Sequence, residues 1–278
     1  MDDTIVIRLL TGLADLQAMQ ELEQAVWHME NPVPLHQTLT AVKNGGIALG
    51  AFQGKQMVGM LYSFPGYSAK EVYVCSHMLG VRPGWRHCGL GERLKRAQAE
   101  EALRRGYALI TWTYDPLETA NAHLNIAKLG AVCSTYIVNC YGPMNDLLNQ
   151  GLPSDRLQVA WWPGLSQLSL PRGDAARLLE WRLQTEGRAE PVNTFPIPAG
   201  VAVLCIAVPQ DFQAMKQKDI ELAKAWRQAT RELFRQSFQS GWVVVDFQRS
   251  DGPVHEYRLV RRETLALSLE PWKRGETS

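Results

Sequence analysis

The stretch Val81-Arg82-Pro83-Gly84-Trp85-Arg86-His87-Cys88-Gly89-Leu90-Gly91 constrains this chain more than any other. The apolar run ending at Val81 reads as a buried strand. From Gly89 to Arg105, Leu90, Leu94, Ala97 and Ala102 recur at helical spacing against a charged opposite face, and Gly106 closes the helix. A strand that feeds a helix through a glycine-bearing loop leaves the first amide N–H groups of that helix unpaired, at the positive end of its dipole. Such a terminus cradles a diphosphate. Gly89 and Gly91 let phosphate oxygens approach the backbone, and Arg86 adds a cationic contact. A plain strand-to-helix turn would use the same glycines for tight packing, so the surrounding order of elements has to decide.

Residues 5–10 read as a strand, and Leu16, Met19, Leu22 and Val26 behind Asp15 as a helix. Residues 35–43 form a second, weaker helical stretch that ends at Asn44, Gly45 and Gly46. Three apolar runs follow, 47–52, 56–64 and 72–81, with turns at 53–55 and 65–70; the first two read as a hairpin. Beyond the central helix come a buried strand at 109–113, a short helix at 120–129 stopped by Gly130, and a strand at 131–139. Gly, Pro, Asn and Asp then accumulate between Gly142 and Pro153, which divides the chain into residues 1–145 and 146–278. The later part holds a strand at 156–161, a Pro- and Gly-rich passage to Gly200 and a strand at 201–208. One long amphipathic helix follows through Phe212, Met215, Leu222, Trp226, Ala229 and Leu233, and then a closing pair at 242–247 and 256–260. The fold class is α/β in the α+β sense, a mixed sheet flanked by helices with a second, smaller α/β domain.

Composition narrows the partners. A hydrophobic fraction of 46% over 278 residues supplies a packed core. Twenty-nine Lys and Arg against 28 Asp and Glu give no field for a nucleic-acid backbone or an anionic membrane. The start, MDDTIVIRLL, is acidic where a signal peptide is basic, and no apolar run approaches the roughly 18 residues of a membrane span. A cytoplasmic protein is expected. Cys75, Cys88, Cys133, Cys140 and Cys205 are odd in number and contain no C-x-x-C pair, so neither a disulfide framework nor a metal site is expected. Homodimer formation is left open.

The pattern V-x-P-x-x-R-x-x-G-x-G, carried by Val81, Pro83, Arg86, Gly89 and Gly91, resembles the coenzyme A signature of the GNAT superfamily of N-acetyltransferases. The order of elements over residues 5 to 140 is similar to that family too. A Walker loop would need Gly-Lys-Ser or Gly-Lys-Thr, whereas Glu92 follows Gly91; a dinucleotide fold would place its glycines after the first strand of a βαβ unit. The resemblance implies acetyl-CoA or another acyl-CoA as co-substrate, a small-molecule amine as acceptor, and no metal. It also implies that backbone groups of Met78, Leu79, Gly80 and Val81 pair with the pantetheine arm, with an N–H near Leu79 or Gly80 facing the developing oxyanion. Arg86, His87, Cys88, Gly89, Leu90 and Gly91 would then hold the pyrophosphate.

Acid and base are less defined. Strict alternation puts Glu71, Tyr73, Cys75, His77 and Leu79 on one face of their strand. His77 is the candidate base because imidazole titrates near neutral pH, and Glu71 is the weaker one. The family often places a tyrosine acid four residues before the glycine that ends the short helix; that position is Ile126 here. Asn121 and Asn125 on the same helix can orient the coenzyme or substrate by amide hydrogen bonds, and Tyr136 and Tyr141 are the remaining candidate acids. The passage from Asn139 to Asp146, continuing to Ser154-Asp155-Arg156, resembles a GNAT branch with an appended C-terminal domain, some of whose members acylate amino acids. In that reading Asp155 with Arg156, or Trp161 with Trp162, lies where the second domain covers an acceptor pocket. The expected activity is N-acylation of a small metabolite such as an amino acid, by an acetyl or another short acyl group such as succinyl. Acylation of a protein amine and a coenzyme A-binding sensor without catalysis are the alternatives.

Overall fold

The computed structural model describes residues 4–28, 31–68, 71–142, 151–165, 174–184 and 187–265. These fall into two compact units. The first holds the residues up to Trp112 together with Trp162–Leu165; the second holds those from Thr113 to Trp161 and from 174 to 265. The division expected at 145/146 lies outside the described residues.

In the first unit, β1 (Ile5–Leu9), β2 (Ile47–Gln53), β3 (Gln56–Ser68) and β4 (Glu71–Val81) are antiparallel neighbours in that order; β5 (Ile110–Tyr114), whose residues up to Trp112 belong to this unit, starts parallel to β4. Helices α1 (Leu13–Trp27) and α2 (Leu35–Lys43) cover one face. Their apolar stripe meets Leu10, Ala48, Met57, Met60 and Tyr62 to form a core with Leu16, Met19 and Leu22. Helix α3 (Leu90–Arg104) covers the other face, where Leu90 and Leu94 crowd against Gly59 of β3. β3 runs on to Ser68, through Pro65 and Gly66, where the sequence predicts a turn. Beyond Ser63 it has no β2 partner, so Pro65 lies on an open edge where its missing N–H leaves no ladder bond unmade.

In the second unit a sheet is ordered β7-β6-β12-β13-β11-β8. Its strands are β6 (Val132–Ile137), β7 (Arg156–Trp161), β8 (Ala176–Arg177), β11 (Val203–Pro209), β12 (Trp242–Gln248) and β13 (Val254–Arg261). A separate hairpin pairs β9 (Leu179–Leu183) with β10 (Ala189–Thr194). The short helix α4 (Thr119–Ala122) passes into a π turn over His123–Lys128. The predicted single long helix is two, α5 (Phe212–Lys218) and α6 (Ile220–Gln239). Asp219 breaks it: its backbone is extended, and its side chain accepts from the amide of Leu222 as the cap of α6. On α6, Trp226 and Phe234 are fully buried; Phe234 meets Tyr257 edge-on with ring centroids 5.2 Å apart, and the Trp226 indole donates to the Ala189 carbonyl.

Candidate functional site

The site is built on β4. Its pairing with β3 is regular from Glu71 opposite Ser68 up to Ser76 opposite Ser63, but the next pair is Met78 with Tyr62, so His77 is an extra residue. This bulge reverses the strand's phase. Upstream, Ser76 faces α3, where its hydroxyl meets Lys95 and Gln98. Downstream, Gly80 faces α1, and a Cβ there would lie 3.0 Å from the Trp27 ring. Leu79, opposite Leu61, and Val81, opposite Gly59, therefore point to the α3 face. The expectation that Leu79 shares a face with Glu71, Tyr73, Cys75 and His77 is overturned, because alternation counts one residue per step and the bulge inserts one.

His77 lies on the α1 face between Tyr62 and Phe64, with ring centroids at 6.0 and 5.7 Å. The residue is exposed to solvent at one side, and desolvation against these rings lowers its pKa below that of a free imidazole. Its ring nitrogens make no hydrogen bond among the described residues. The imidazole is thus neutral at pH 7, with a lone pair available to a proton on that face. Glu71 sits at the far end of β4, half-buried and six residues away along the strand from His77.

Pairing between β4 and β5 stops early. Val74 pairs with Ile110 and Cys75 with Thr111, and no further pair follows among the described residues. From Ser76 to Val81 the edge of β4 turned away from β3 keeps its backbone groups. Past Val81 a 3₁₀ turn over Pro83–Trp85 reverses the chain, His87 adopts φ 64°, and Gly89 adopts φ 79° as the cap of α3. Left-handed residues in such a loop turn amides to a common side, and the first-turn amides of α3, from Leu90 and Gly91, have no acceptor within the helix. A Cβ at Gly89 would meet no protein atom within 4 Å, so the space over this cap is open. The Arg86 guanidinium folds back to the Val81 carbonyl at 3.2 Å, and the exposed Cys88 thiol donates to the Trp85 carbonyl. An open, amide-lined cap with an arginine beside it fits a diphosphate; the free edge of β4 leads from that cap toward His77 and Ser76.

Beneath the parting of β4 and β5 lies a group that the sequence reading missed. Lys95, one turn into α3 from Gly91, is only 2% exposed. Its Nζ donates to Ser76 Oγ at 2.8 Å, reaches Gln98 Oε1 at 3.4 Å, and rests 3.5 Å from the centroid of the Trp112 ring. Burial holds this amine well below the usual lysine range, against a weaker upward pull from Cys75. The signal was in the sequence: a lysine and a glutamine interrupt the apolar stripe Leu90, Leu94, Ala102.

The other candidates belong to the second unit. Asn121 on α4 is exposed, while Asn125 in the π turn is 4% exposed and Ile126 beside it is buried. Tyr136 donates its hydroxyl to Asp155 Oδ2 at 2.6 Å and stacks on Phe234. Burial pushes this phenol far above its usual range, and its proton lies on the hydrogen bond to Asp155. Tyr141 is 57% exposed, with its hydroxyl 2.7 Å from Thr113 Oγ1 and Arg156 over its ring. Asp155 and Arg156 do not bridge each other by side chains. Asp155 is fully buried and receives Arg231, Tyr136 and the Asn139 amide, whereas Arg156 lies 3.8 Å from Asp115. Trp161 is buried at the end of β7. Of the passage from Asn139 to Asp146, residues 143–146 lie outside the described residues. Among the described residues no cluster of His, Cys, Asp and Glu could hold a metal, and no helix is long and apolar enough to cross a membrane.

Residues 15–130, about two fifths of the chain, match the family described as Acetyltransferase (GNAT) family. No curated protein matches the sequence. Solved structures of similar fold include the ribosomal-protein-S18-alanine N-acetyltransferase of Escherichia coli, at 18% identity and TM-score 0.47 over 61% of this chain and 100% of that one. Another is an IAA acetyltransferase from Bacillus cereus, at 17% and 0.44 over 57% and 99%. A third is an aminoglycoside acetyltransferase from an uncultured soil metagenomic sample, at 22% and 0.38 over 42% and 82%. Likenesses this distant do not select an acceptor.

Proposed function

Residues 15–130 carry a GNAT acetyltransferase domain, and from that premise we propose that the protein transfers a short acyl group from coenzyme A to the amine of a small metabolite such as an amino acid. One observation carries this reading: the amide-lined cap at Gly89 opens directly onto the edge of β4 that β5 leaves unpaired. The coenzyme supplies an activated thioester. The cap, with Arg86, holds its diphosphate, and the free edge from Met78 to Val81 binds the pantetheine arm as an added strand. An N–H of Leu79 or Gly80 then stabilises negative charge on the thioester oxygen. His77, neutral at pH 7, takes the proton lost by the amine as the new C–N bond forms and the C–S bond breaks. Because sulfur leaves readily as a thiolate, the lack of a tyrosine at Ile126 is compatible with turnover.

The acceptor class rests on proton availability. At neutral pH an α-amine with pKa about 7.7 to 8 is free to roughly one part in ten, whereas a lysine near 10.4 is free to under one in a thousand. A single neutral imidazole with no carboxylate behind it suits the easier acceptor.

Calorimetry with acetyl-CoA tests the site. Gly89→Glu places a carboxylate where the diphosphate sits and is expected to abolish binding, with circular dichroism confirming the fold. Arg86→Ala is expected to loosen binding about tenfold, the loss of one charged hydrogen bond. Unchanged affinity in both variants, or no heat from folded wild-type protein, overturns the assignment. Thiol release across a panel of amino acids, small amines and peptides then identifies the acceptor.

A further inference from the structure

Among the described residues, Lys95 is a buried amine without an anion. The groups around it are Ser76 from β4, with Cys75 beside it, Trp112 from β5 and Gln98 from α3; among the described residues no carboxylate joins them. Burial pushes the Cys75 thiol up, so it stays protonated and supplies no countercharge. One donor is idle at the same place. Gln98 is 0% exposed, its Oε1 sits 3.3 Å from Ser76 Oγ, and its Nε2 has no hydrogen-bond partner. Proteins rarely bury a lysine unless it is paired, and an unsatisfied buried amide costs about 1–3 kcal/mol. The cluster has a donor to spare, and its Ser76 and Trp112 directly follow Cys75 and Thr111, the last pair between β4 and β5.

We propose that the preferred acyl group ends in a carboxylate, which Lys95, Gln98 and Ser76 receive where β4 and β5 part, so that the favoured donor is the coenzyme A thioester of a short dicarboxylic acid. This rests on the coenzyme reading above and names its substrate class. Length supports it. The bulge at His77 sets Ser76 only two ladder steps from Leu79, as Ser63 is from Leu61 on β3, roughly 7 Å, so a distal carboxylate that reaches Ser76 belongs to a short chain. Burial disfavours the ammonium form of Lys95 and an arriving carboxylate favours it, so binding draws a proton toward the site.

The test uses the full chain and three probes: succinyl-CoA, butyryl-CoA as the uncharged chain of equal length, and free coenzyme A. Succinyl-CoA is expected to bind at least about tenfold more tightly than butyryl-CoA, the worth of one charged hydrogen bond. In Lys95→Met, which keeps the side chain's length and removes its charge, that ratio is expected to collapse toward one. Calorimetry of the wild type in two buffers of different ionisation enthalpy provides a measurement that needs no variant. Succinyl-CoA should take up a proton that butyryl-CoA does not, and its affinity should fall as pH rises. Equal affinities in the wild type, a ratio that survives Lys95→Met, or no difference in proton uptake overturns the proposal while leaving the coenzyme site intact. If free coenzyme A fails to bind as well, the coenzyme reading itself is lost.

Discussion

At the scale of single residues, His77 carries the most chemistry and the most definite pH signature. Tyr62 and Phe64 shield the ring, and burial lowers its pKa below the free value of about 6.5. A base works in its deprotonated form, so kcat/KM should be at its plateau at pH 7 and fall only as pH drops through a value acid of 6.5. His77→Gln should remove that acid limb and reduce kcat about a hundredfold. A limb that persists unchanged in the variant would transfer the role elsewhere. The loop residues of the site were legible because glycines and an arginine after a strand are local signals. The facing of Leu79 was not, because a bulge depends on how β4 meets β3 and leaves no mark in the alternation of either strand alone. Lys95 was legible only as a charge on an apolar stripe; that it is buried beside Trp112 is a fact of packing.

At the scale of elements, periodicity located α1, α2, α3 and the strands of the first unit closely, since each has one apolar face and clear breakers. It failed where those conditions lapse. The hairpin of β9 and β10 is largely half-exposed or exposed on both faces, so the passage before Gly200 shows no alternation to read. Residues 120–129 read as an ordinary helix, yet the turn over His123–Lys128 is wider than an α turn, with the Leu129 amide bonded to the Leu124 carbonyl. Counting four residues back from Gly130 therefore presumes a geometry that this element lacks. The break between α5 and α6 was visible in principle as Asp219, a capping residue set in an apolar pattern. Asp219→Ala removes the acceptor for the Leu222 amide and should lower stability by about 1 kcal/mol, measured by urea unfolding. An unchanged midpoint would mean that packing on Trp226, rather than the cap, ends the interruption.

At the scale of the whole molecule, the two units carry different kinds of evidence. The first holds the amide cap, the free edge of β4 and the Lys95 cluster, and its order of elements was readable from one motif outward. The second was expected to contribute Asp155 and Arg156 to an acceptor pocket, yet Asp155 is a fully buried acceptor for Tyr136 at 2.6 Å, Arg231 at 2.7 and 3.1 Å, and the Asn139 amide at 3.0 Å. Sequence spacing could not reveal this, because Arg231 lies 76 residues further on. The two roles predict opposite results. If Asp155 ties β6, β7 and α6 together, Asp155→Ala leaves a guanidinium, a phenol and an amide without their acceptor. That should cost on the order of 3 kcal/mol and lower the melting temperature by roughly 10 °C. If Asp155 instead binds the acceptor amine, the melting temperature holds while the KM for the amine rises. Scanning calorimetry and acceptor kinetics on the same preparation separate the two, and burial of the carboxylate among three donors favours the loss of stability.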